Sequence, residues 1–353
     1  MTAGGQTWPE LLTRLIAGTD LSEADTSWAM DQIMSGKATA AQIGGFAVAL
    51  RVKGETPAEI SGMADGMLSH AQRVRVDAPA VDIVGTGGDK SGSVNISTMT
   101  SIVVAAAGVP VVKHGNRAAS SKSGAADVLE SLGVTIGLPA AAVERCVAEL
   151  GIGFCFAPHF HPALRHVGAP RRELGVPTTF NLLGPLTNPG QPSAGLIGCA
   201  YPDKTELLAR VFASRGITAL LVRGDDGLDE LTTTTTSSVW IVSGGEVSTT
   251  SIDPATVGLS RATFEDLRGG DAEFNARVVR ELLAGKTGPI RDAVLFNAGG
   301  AIAAYRASTD GGFGADLAGD IASGMKTAAA AIDSGTADAL LPRWAELTTR
   351  LAE

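Results

Sequence analysis

The first 72 residues place apolar side chains at helical spacing and show no strand-like alternation. Three predicted helices each end before a glycine, and a fourth begins at Thr56-Pro-Ala-Glu59, a capping box with proline at the first helical position. The pattern therefore predicts an all-helical N-terminal region. The first three helices are predicted at Trp8–Ala17, Ser22–Met34 and Thr39–Lys53.

From Val81 onward, short β-branched runs alternate with alanine-rich helical segments. This alternation is typical of βα units, so the chain is expected to be an α/β protein with a mainly parallel sheet covered by helices on both faces. Strands are predicted at Val81–Val84, Val109–Val112, Ile152–Phe156, Gly195–Ala200, Ala219–Val222 and Val239–Val242. Helices are predicted at Ser97–Ala107, Ala125–Leu132, Pro139–Leu150 and from about Asp203.

The segment Arg171–Pro192 is rich in Pro, Gly and Asn and fits neither a helix nor a strand. We expect it to be a loop that leaves the α/β region and returns to it.

The composition narrows the class of protein. No run of about 18 apolar residues occurs, and no basic segment precedes an apolar one at the N-terminus, so neither a membrane span nor a signal peptide is expected and a cytoplasmic location follows. The net charge of −9 opposes general nucleic-acid binding. Cys146, Cys155 and Cys199 are far apart in apolar runs, which indicates buried thiols rather than disulfides or zinc ligands.

A glycine-rich turn follows the first predicted strand. Four glycines lie between Gly85 and Gly92, and the polar stretch Asn95–Thr98 leads into a helix. Bare backbone N–H groups and a helix N-terminus suit a phosphate group, although an ordinary tight turn with a helix cap explains the same glycines. The turn matches neither the dinucleotide fingerprint nor a P-loop.

Two further polar loops follow predicted strands. Lys113–Ser121 carries two cations, an imidazole, an amide and hydroxyl groups, and ligands bind where parallel strands end. Gly224–Glu230 ends in adjacent carboxylates, Asp229 and Glu230, which project differently and so suit two Mg²⁺ ions or two ligand positions better than one bidentate clamp. A solvated loop and an acidic turn are the plain alternatives. A cation between the carboxylates and a phosphate would reconcile the two sites. His159, His161 and His166 are interpreted as loop or ligand-contact residues rather than metal ligands.

Several motifs together resemble the anthranilate phosphoribosyltransferase family. They are Gly85–Asp89, Asn95–Thr98, Lys113–Ser121, Ala126–Glu130, Arg171–Gly175, Phe180–Pro189 and Gly227–Glu230. The resemblance runs from the N-terminal to the C-terminal helices. It implies transfer of a phosphoribosyl group from phosphoribosyl pyrophosphate (PRPP) to the amine of anthranilate in tryptophan biosynthesis.

The resemblance also implies an architecture of the nucleoside phosphorylase type. The small helical domain would comprise residues 1–74, completed by about 170–190, and the large α/β catalytic domain would comprise 75–169 and 191–353. The family is typically homodimeric through the small domain, with no nucleic-acid or membrane partner.

Site residues carry over from the family by position. PRPP is expected to contact Gly85, Gly88, Asp89, Ser93, Asn95, Ile96, Ser97, Thr98, Lys113, His114, Gly115, Asn116, Arg117, Ala118, Ala119, Ser120, Ser121 and Ala125. Anthranilate is expected at Gly85, Asn116, His161, Arg171, Gly184 and Pro185. Mg²⁺, with two ions expected, would be held by Ser97, Asp229 and Glu230. No general base is assigned, because an aromatic amine can attack first and lose its proton afterwards.

The chain departs from the family pattern at two positions. Ala125 stands where the family often has serine, which removes one hydroxyl contact to phosphate, and Leu164 stands where some relatives carry an aromatic residue. Neither change touches the expected metal ligands.

Three alternatives remain at this stage. A pyrimidine nucleoside phosphorylase shares the architecture, and a non-catalytic relative could bind nucleic acid on a basic face. The segment Leu228–Thr236 could instead be the acidic pair and phosphate loop of the other phosphoribosyltransferase architecture, but it lacks a glycine among its threonines.

Overall fold

The computed structural model describes residues 6–118 and 122–353. Its N-terminal part is helical, as predicted, with helices α1 to α4 at Trp8–Ile16, Glu23–Met34, Ala40–Lys53 and Pro57–Ser69. Each helix begins after a hydroxyl side chain that accepts a backbone N–H bond, and the last three carry complete capping boxes. Local sequence signals therefore determine where these helices begin.

The remainder of the described chain is built on one sheet with the strand order β3-β2-β1-β4-β5-β6-β7. Strands β1 to β5 are parallel, and β6 and β7 add an antiparallel edge. The expectation of a mainly parallel sheet is thus confirmed. The strands β1 to β7 span Val81–Gly85, Val111–Gly115, Ile152–Phe156, Ala194–Gly198, Thr218–Gly224, Ser237–Ser243 and Glu246–Ile252.

The second strand begins later than its sequence predicts. Val109–Val112 is the expected span, but β2 begins at Val111, because Pro110 has no N–H group to donate to a ladder. The strand continues through Lys113, His114 and Gly115. Three residues expected in a polar loop therefore lie in the sheet.

Two cores pack on opposite faces of the sheet. Alternate strand residues, such as Leu196 and Leu220, face one core, while Ile197 and Leu221 face the other. The first core is formed with α5 to α7 and α11 to α14. These helices span Ile96–Ala106, Ala125–Ser131, Ala140–Leu150, Ala272–Leu283, Pro289–Asp310, Leu317–Asp333 and Thr336–Ala352.

The second core joins the sheet to the N-terminal helices. Helix α10, Thr205–Ser214, contributes Leu208 and Phe212, which share this core with Phe46 and Met63 of α3 and α4. Lys204 precedes α10 and forms a buried ion pair with Glu55, with Nζ and Oε2 2.7 Å apart. Apolar packing and a buried charge pair therefore both connect the helical region to the sheet.

The segment Arg171–Pro192 is more regular than predicted. Helix α8 spans Ala157–Phe160, and α9 spans Arg165–Leu174, so the irregular loop prediction is wrong for residues 171–174. Pro170 lies inside α9, which ends at Gly175 with a left-handed backbone. Short 3₁₀ turns follow at Thr179–Leu182 and Gly184–Leu186. Proline and glycine therefore lie within or at the ends of short helical turns in this segment, and do not prevent them.

Helices α2 and α4 approach each other closely at two glycines. A Cβ on Gly62 would overlap the carbonyl oxygen of Glu23, and one on Gly66 would lie 2.6 Å from the Cβ of Met30. The backbone contact at Gly62 leaves no room for a side chain.

Within the described residues, no helix is both long and apolar enough to cross a membrane.

We predict that Gly62→Ala destabilises the fold by about 1–3 kcal/mol, because the added methyl group must push two helix backbones apart. Denaturant unfolding would measure the loss. Gly44→Ala is the matched control: it also lies inside a helix, but its Cβ would be 4.0 Å from the nearest atom, a side-chain carbon of Leu174. The control should keep or raise stability, by up to about 1 kcal/mol. Equal stability of the two variants would contradict the packing argument.

Candidate active site

The glycine-rich turn after β1 lies at the carboxyl edge of the parallel strands. Gly87 and Gly88 have φ values of 67° and 90°, which glycine adopts readily. Lys90, with a φ of 58°, is a non-glycine residue in the same left-handed region. A Cβ on Gly85 would lie 2.8 Å from the carboxylate carbon of Asp229. One on Gly88 would lie 2.8 Å from the hydroxyl oxygen of Tyr201. The missing side chains therefore let two polar groups approach this backbone.

The acidic pair faces the same turn, as the sequence predicts. The Gly87 N–H donates to Oδ2 of Asp229 at 2.7 Å, and the Ser97 N–H donates to Oε1 of Glu230 at 3.0 Å. The second oxygen of Glu230 is buried and has no hydrogen-bond partner among the described residues. Unpaired buried carboxylate oxygens are costly, so this atom suits a cation or a hydrogen-bond donor as its partner.

Several carboxylates lie close together at this edge of the sheet. Desolvation raises the pKa of both Asp229 and Glu230, and the mutual proximity of Asp89, Asp229 and Glu230 raises it further. Burial lowers the pKa of Lys113, which is only 2% exposed. Its Nζ donates to the Ile83 carbonyl at 2.5 Å and to the Ser97 hydroxyl at 3.3 Å. The carboxylates of Asp82, Glu230 and Asp229 oppose this decrease in the pKa of Lys113.

The chemistry of the donors fits a magnesium-like cation. Two carboxylates and the Ser97 hydroxyl are oxygen donors, which hard divalent cations prefer. Within the described residues, no cluster of three or more His, Cys, Asp or Glu side chains could hold a metal by itself. Ligands from a bound phosphate would therefore have to complete the coordination.

The loop that follows β2 is held by a carboxylate of α6. Asp127 accepts the N–H groups of Ala118 at 3.1 Å and Gly124 at 2.8 Å. The guanidinium of Arg117 donates to Asp127 at 2.9 Å and to Glu130 at 2.9 Å. Arg117, an expected phosphate contact, is therefore occupied by two carboxylates in this structure. The expected contacts Ala119, Ser120 and Ser121 lie outside the described residues.

Several expected phosphate contacts support the turn rather than expose their side chains. The side chains of Ile96 and Thr98 are buried at the start of α5. Asn95 donates to the Ser123 carbonyl at 3.2 Å and accepts from Asn275 at 2.7 Å. Ser93 accepts from the Ser91 hydroxyl at 3.1 Å. Ala125 begins α6 beside this loop, and Asn116 bonds to the next backbone N–H at 2.7 Å.

Sequence reasoning missed the segment 267–275, which is hydrogen-bonded to the glycine-rich turn. The Val94 N–H donates to the Leu267 carbonyl at 2.9 Å, and the Gly269 N–H donates to the Gly92 carbonyl at 2.8 Å. Asn275 anchors the same segment, because its Oδ1 accepts the Gly270 N–H at 2.9 Å. A separation of more than 170 positions gives no local signal in the sequence.

Two buried histidines hold the 184–187 turn. The His114 Nδ1 lies 3.0 Å from the Gly184 carbonyl, and the His161 Nε2 lies 2.8 Å from the Thr187 carbonyl. Their ring centroids are 5.2 Å apart. Burial lowers the pKa of His114 to about 3 and that of His161 to about 4, so both rings are neutral at pH 7. The structure thus brings His161, Gly184 and Pro185 together, as expected.

Arg171 is the candidate anion-binding cation in the helical part of the site. Its guanidinium lies 5.9 Å from the centre of the Phe180 ring and forms no ion pair or hydrogen bond within the described residues. Partial burial lowers its pKa from the ordinary value, although it stays charged. Tyr201, a residue that sequence reasoning did not identify, lies with its hydroxyl close to Gly88 of the glycine-rich turn.

Comparisons with known proteins agree with this architecture. Residues 9–71 match a model described as glycosyl transferase family, helical bundle domain. Residues 77–338 match the glycosyl transferase family, a/b domain. The fold and the site thus define a glycosyltransferase made of a helical bundle and an α/β unit.

Individual relatives are more specific. The curated anthranilate phosphoribosyltransferase of Saccharopolyspora erythraea is 63% identical over 344 residues, covering 98% of this chain and 97% of its own. The solved structure of the Thermus thermophilus enzyme has a TM-score of 0.87 at 40% identity, covering 96% of this chain and 99% of its own. The Saccharomyces cerevisiae enzyme in complex with PRPP and Mg has a TM-score of 0.86 at 27% identity, covering 97% and 98%.

The chain belongs to the anthranilate phosphoribosyltransferase family. The resemblance inferred from the motifs and the expected fold class are both confirmed. Family membership favours the transferase over a nucleoside phosphorylase, a nucleic-acid-binding relative and the other phosphoribosyltransferase architecture.

The buried imidazole of His161 predicts a pH dependence of stability. Its folded pKa of about 4 lies below the ordinary value of 6.5, so acidification protonates the unfolded chain first and favours unfolding. Stability is therefore retained above about pH 6.5 and lost as the pH falls towards 4. Between pH 7.5 and 5.5, this histidine should cost about 1 kcal/mol of unfolding free energy.

Denaturant unfolding of His161→Gln at the two pH values tests this dependence. The variant should lose about 1 kcal/mol less than the parent on acidification, whereas His159→Gln on α8 should lose as much as the parent. An unchanged pH dependence in His161→Gln would contradict the assignment.

Proposed function

We propose that the protein transfers the phosphoribosyl group of PRPP to the amine of anthranilate, giving N-(5-phosphoribosyl)anthranilate and pyrophosphate in tryptophan biosynthesis. The observation that carries the proposal is a glycine-rich turn, joined to Asp229 through the Gly87 N–H, beside a buried oxygen of Glu230 that has no hydrogen-bond partner among the described residues. A pyrophosphate with its cation satisfies both groups. The relatives named above support the same reaction.

PRPP is proposed to bind along the carboxyl edge of β1 and β2. The turn from Gly85 to Ser93 supplies backbone N–H groups, and the N-terminus of α5 favours negative charge. Lys113 lies on β2, and its Nζ donates to the Ile83 carbonyl of β1 and to the Ser97 hydroxyl. Asn95, Asp127 and Asn275 keep the two loops in place around the ligand.

Mg²⁺ is the proposed cofactor, and two ions remain part of the proposal. The yeast relative is described with PRPP and Mg. In this chain Ser97, Asp229 and Glu230 would hold the metal, which would neutralise charge on the leaving pyrophosphate when bound. The raised pKa of both carboxyls reflects burial first and repulsion by neighbouring carboxylates second, and a bound cation would offset both.

Anthranilate is proposed to bind between Arg171 and the 184–187 turn. A planar guanidinium without an internal carboxylate partner suits the carboxylate of anthranilate. The uncharged rings of His114 and His161 hold Gly184 and Pro185, which would line the aromatic ring. Gly85 and Asn116 lie at the strand ends nearest the sugar, where the two substrates would meet.

The reaction needs positioning more than proton transfer. The amine nitrogen attacks C1 of the ribose, the bond from C1 to the pyrophosphate oxygen breaks, and the aniline-type proton leaves afterwards. Backbone amides of the turn would stabilise the oxygens on which charge builds. Holding both substrates at one edge replaces an encounter in solution. Water would accept that proton, since the lowered pKa of His114 and His161 makes both rings poor proton acceptors.

Replacing Arg171 tests the anthranilate site. Arg171→Gln should raise the KM for anthranilate about 10- to 100-fold, because a charge-assisted contact worth ~1.5–3 kcal/mol is lost. The KM for PRPP should change little. Initial rates from the loss of anthranilate fluorescence provide both values.

Arg172→Gln is the matched control, since it removes the same charge from an exposed neighbour on α9. The control should keep both KM values. Equal effects of the two changes would show that the positive potential of α9, and not a contact of Arg171, is being measured.

We also propose a homodimer formed through the small helical domain. Ile16 on α1 and Val48 and Val52 on α3 are exposed apolar side chains, with Ile16 81% and Val52 82% exposed. Val48 and Val52 lie one helical turn apart and present a continuous apolar face. A second copy of the chain is the occupant that the family likeness favours.

A charge on this face should prevent assembly. Val52→Glu is expected to convert a dimer to a monomer in sedimentation or light scattering, because a carboxylate would be buried in an apolar contact. Phe264→Glu, at an exposed apolar site of the α/β region, should leave the mass unchanged. A dimeric Val52→Glu would contradict this interface.

Two domains and a cytoplasmic location complete the proposal. Val167, Phe180, Leu182 and Leu183 pack into the same core as α1 to α4, which supports a small domain of residues 1–74 completed by about 170–190. Residues 75–169 and 191–353 would form the large catalytic domain. The three cysteines are free and buried, which suits a reducing compartment.

A further inference from the structure

Asn297 lies at the centre of α12 and is only 1% exposed. Its side-chain amide makes three hydrogen bonds, all to backbone groups. Oδ1 accepts the Leu231 N–H at 3.0 Å, while Nδ2 donates to the Leu231 carbonyl at 2.8 Å and to the Ala293 carbonyl at 2.9 Å. One amide therefore pairs with both backbone groups of Leu231, as a neighbouring β-strand would.

Leu231 directly follows Glu230 in a segment without helix or strand structure. Residues 225–236 belong to no regular element, so no ladder fixes the backbone that carries Asp229 and Glu230. The opposite side of this segment is tied at Asp226, which accepts the Leu228 N–H at 3.0 Å and the Thr232 hydroxyl at 2.6 Å. Gly87 and Ser97 bind the two carboxylates, and the Ala262 N–H donates to the Thr233 carbonyl at 2.9 Å. Asn297 connects the backbone next to Glu230 to α12, across 66 positions of sequence.

The same asparagine borders the candidate metal site. A small cavity beneath the sheet edge is lined in part by Ser97, Asp229, Glu230 and Asn297. Both N–H bonds of the Asn297 amide are engaged, and its oxygen already accepts one hydrogen bond. Its side chain is thus committed to holding the backbone rather than offered to a ligand.

We propose that Asn297 is a positioning residue that sets the orientation of the Asp229–Glu230 pair towards Mg²⁺. The inference rests on the metal site of the proposed function. Without the amide, Leu231 would leave two buried backbone groups unpaired, and the segment would shift to hydrate them. The two carboxylates would then share the cation less well. Loss of an outer partner of this kind typically weakens metal affinity about 10- to 100-fold.

Direct binding of Mn²⁺, as a paramagnetic substitute for Mg²⁺, tests the proposal without catalysis. Electron paramagnetic resonance would measure free Mn²⁺ during titration of the full chain in the presence of PRPP. Asn297→Ala should weaken Mn²⁺ binding about 10-fold or more, and Asn297→Ser, which disturbs packing less, should weaken it in the same direction. In rate measurements, excess Mg²⁺ should restore much of the lost activity, while the KM for anthranilate stays near that of the parent.

Thr348→Val is the control for a general loss of stability. It removes a buried side-chain hydrogen bond to the Thr135 N–H, 3.1 Å long, in a helix that contributes no site residue. This control should bind Mn²⁺ like the parent even though it unfolds more easily. Asn297 variants with the Mn²⁺ affinity of the parent would overturn the proposal.

Asp229→Asn separates this inference from the proposed function. If Asp229→Asn loses Mn²⁺ while the Asn297 variants retain it, the positioning role falls and the metal site stands. If Asp229→Asn also binds Mn²⁺ like the parent, the metal site itself is misassigned and the positioning role falls with it.

Discussion

The central constraint in this structure is the repulsion among carboxylates withdrawn from water at the edge of a parallel sheet. Asp229 and Glu230 accept the N–H groups of Gly87 and Ser97 beside the proposed phosphate turn, and phosphate and carboxylate repel each other. Without a cation, the acidic pair and a phosphate on the turn would therefore repel each other. A divalent cation between them resolves the conflict, so metal and sugar donor should bind as one unit. The buried, unpaired oxygen of Glu230 is the clearest sign of this requirement.

The fold provides this edge by packing each face of the sheet differently. One face is covered by long helices of the α/β region, including α12, which anchors the acidic segment. The other is covered by α10 and the N-terminal helices, which bring Arg171 and the 184–187 turn over the strand ends. The proposed sites for the aromatic substrate and for the phosphorylated substrate are therefore built from different parts of the chain.

The features predictable from sequence were those with a local cause. A capping box located the start of α4, and closing glycines located the ends of the first three helices. Glycine spacing located the turn, and adjacent carboxylates located the candidate metal ligands. Pairings across long separations escaped detection, because nothing near Asn275 or Asn297 signals its partner. Arg117 shows the converse: its charge suggests a phosphate contact, yet Asp127 and Glu130, ten and thirteen positions away, accept its hydrogen bonds. The richness of Arg171–Pro192 in Pro, Gly and Asn predicted a loop, although the helix that contains Pro170 continues to Leu174.

The most direct test of the shared site is a crystal structure with PRPP and Mn²⁺, recorded at the manganese absorption edge. The account predicts an anomalous peak within coordination distance, about 2.0–2.3 Å, of a carboxylate oxygen of Asp229 or Glu230, with the pyrophosphate on the backbone of Gly85–Ser93. A peak and a ligand located elsewhere, with that turn and the acidic pair both free, would contradict it.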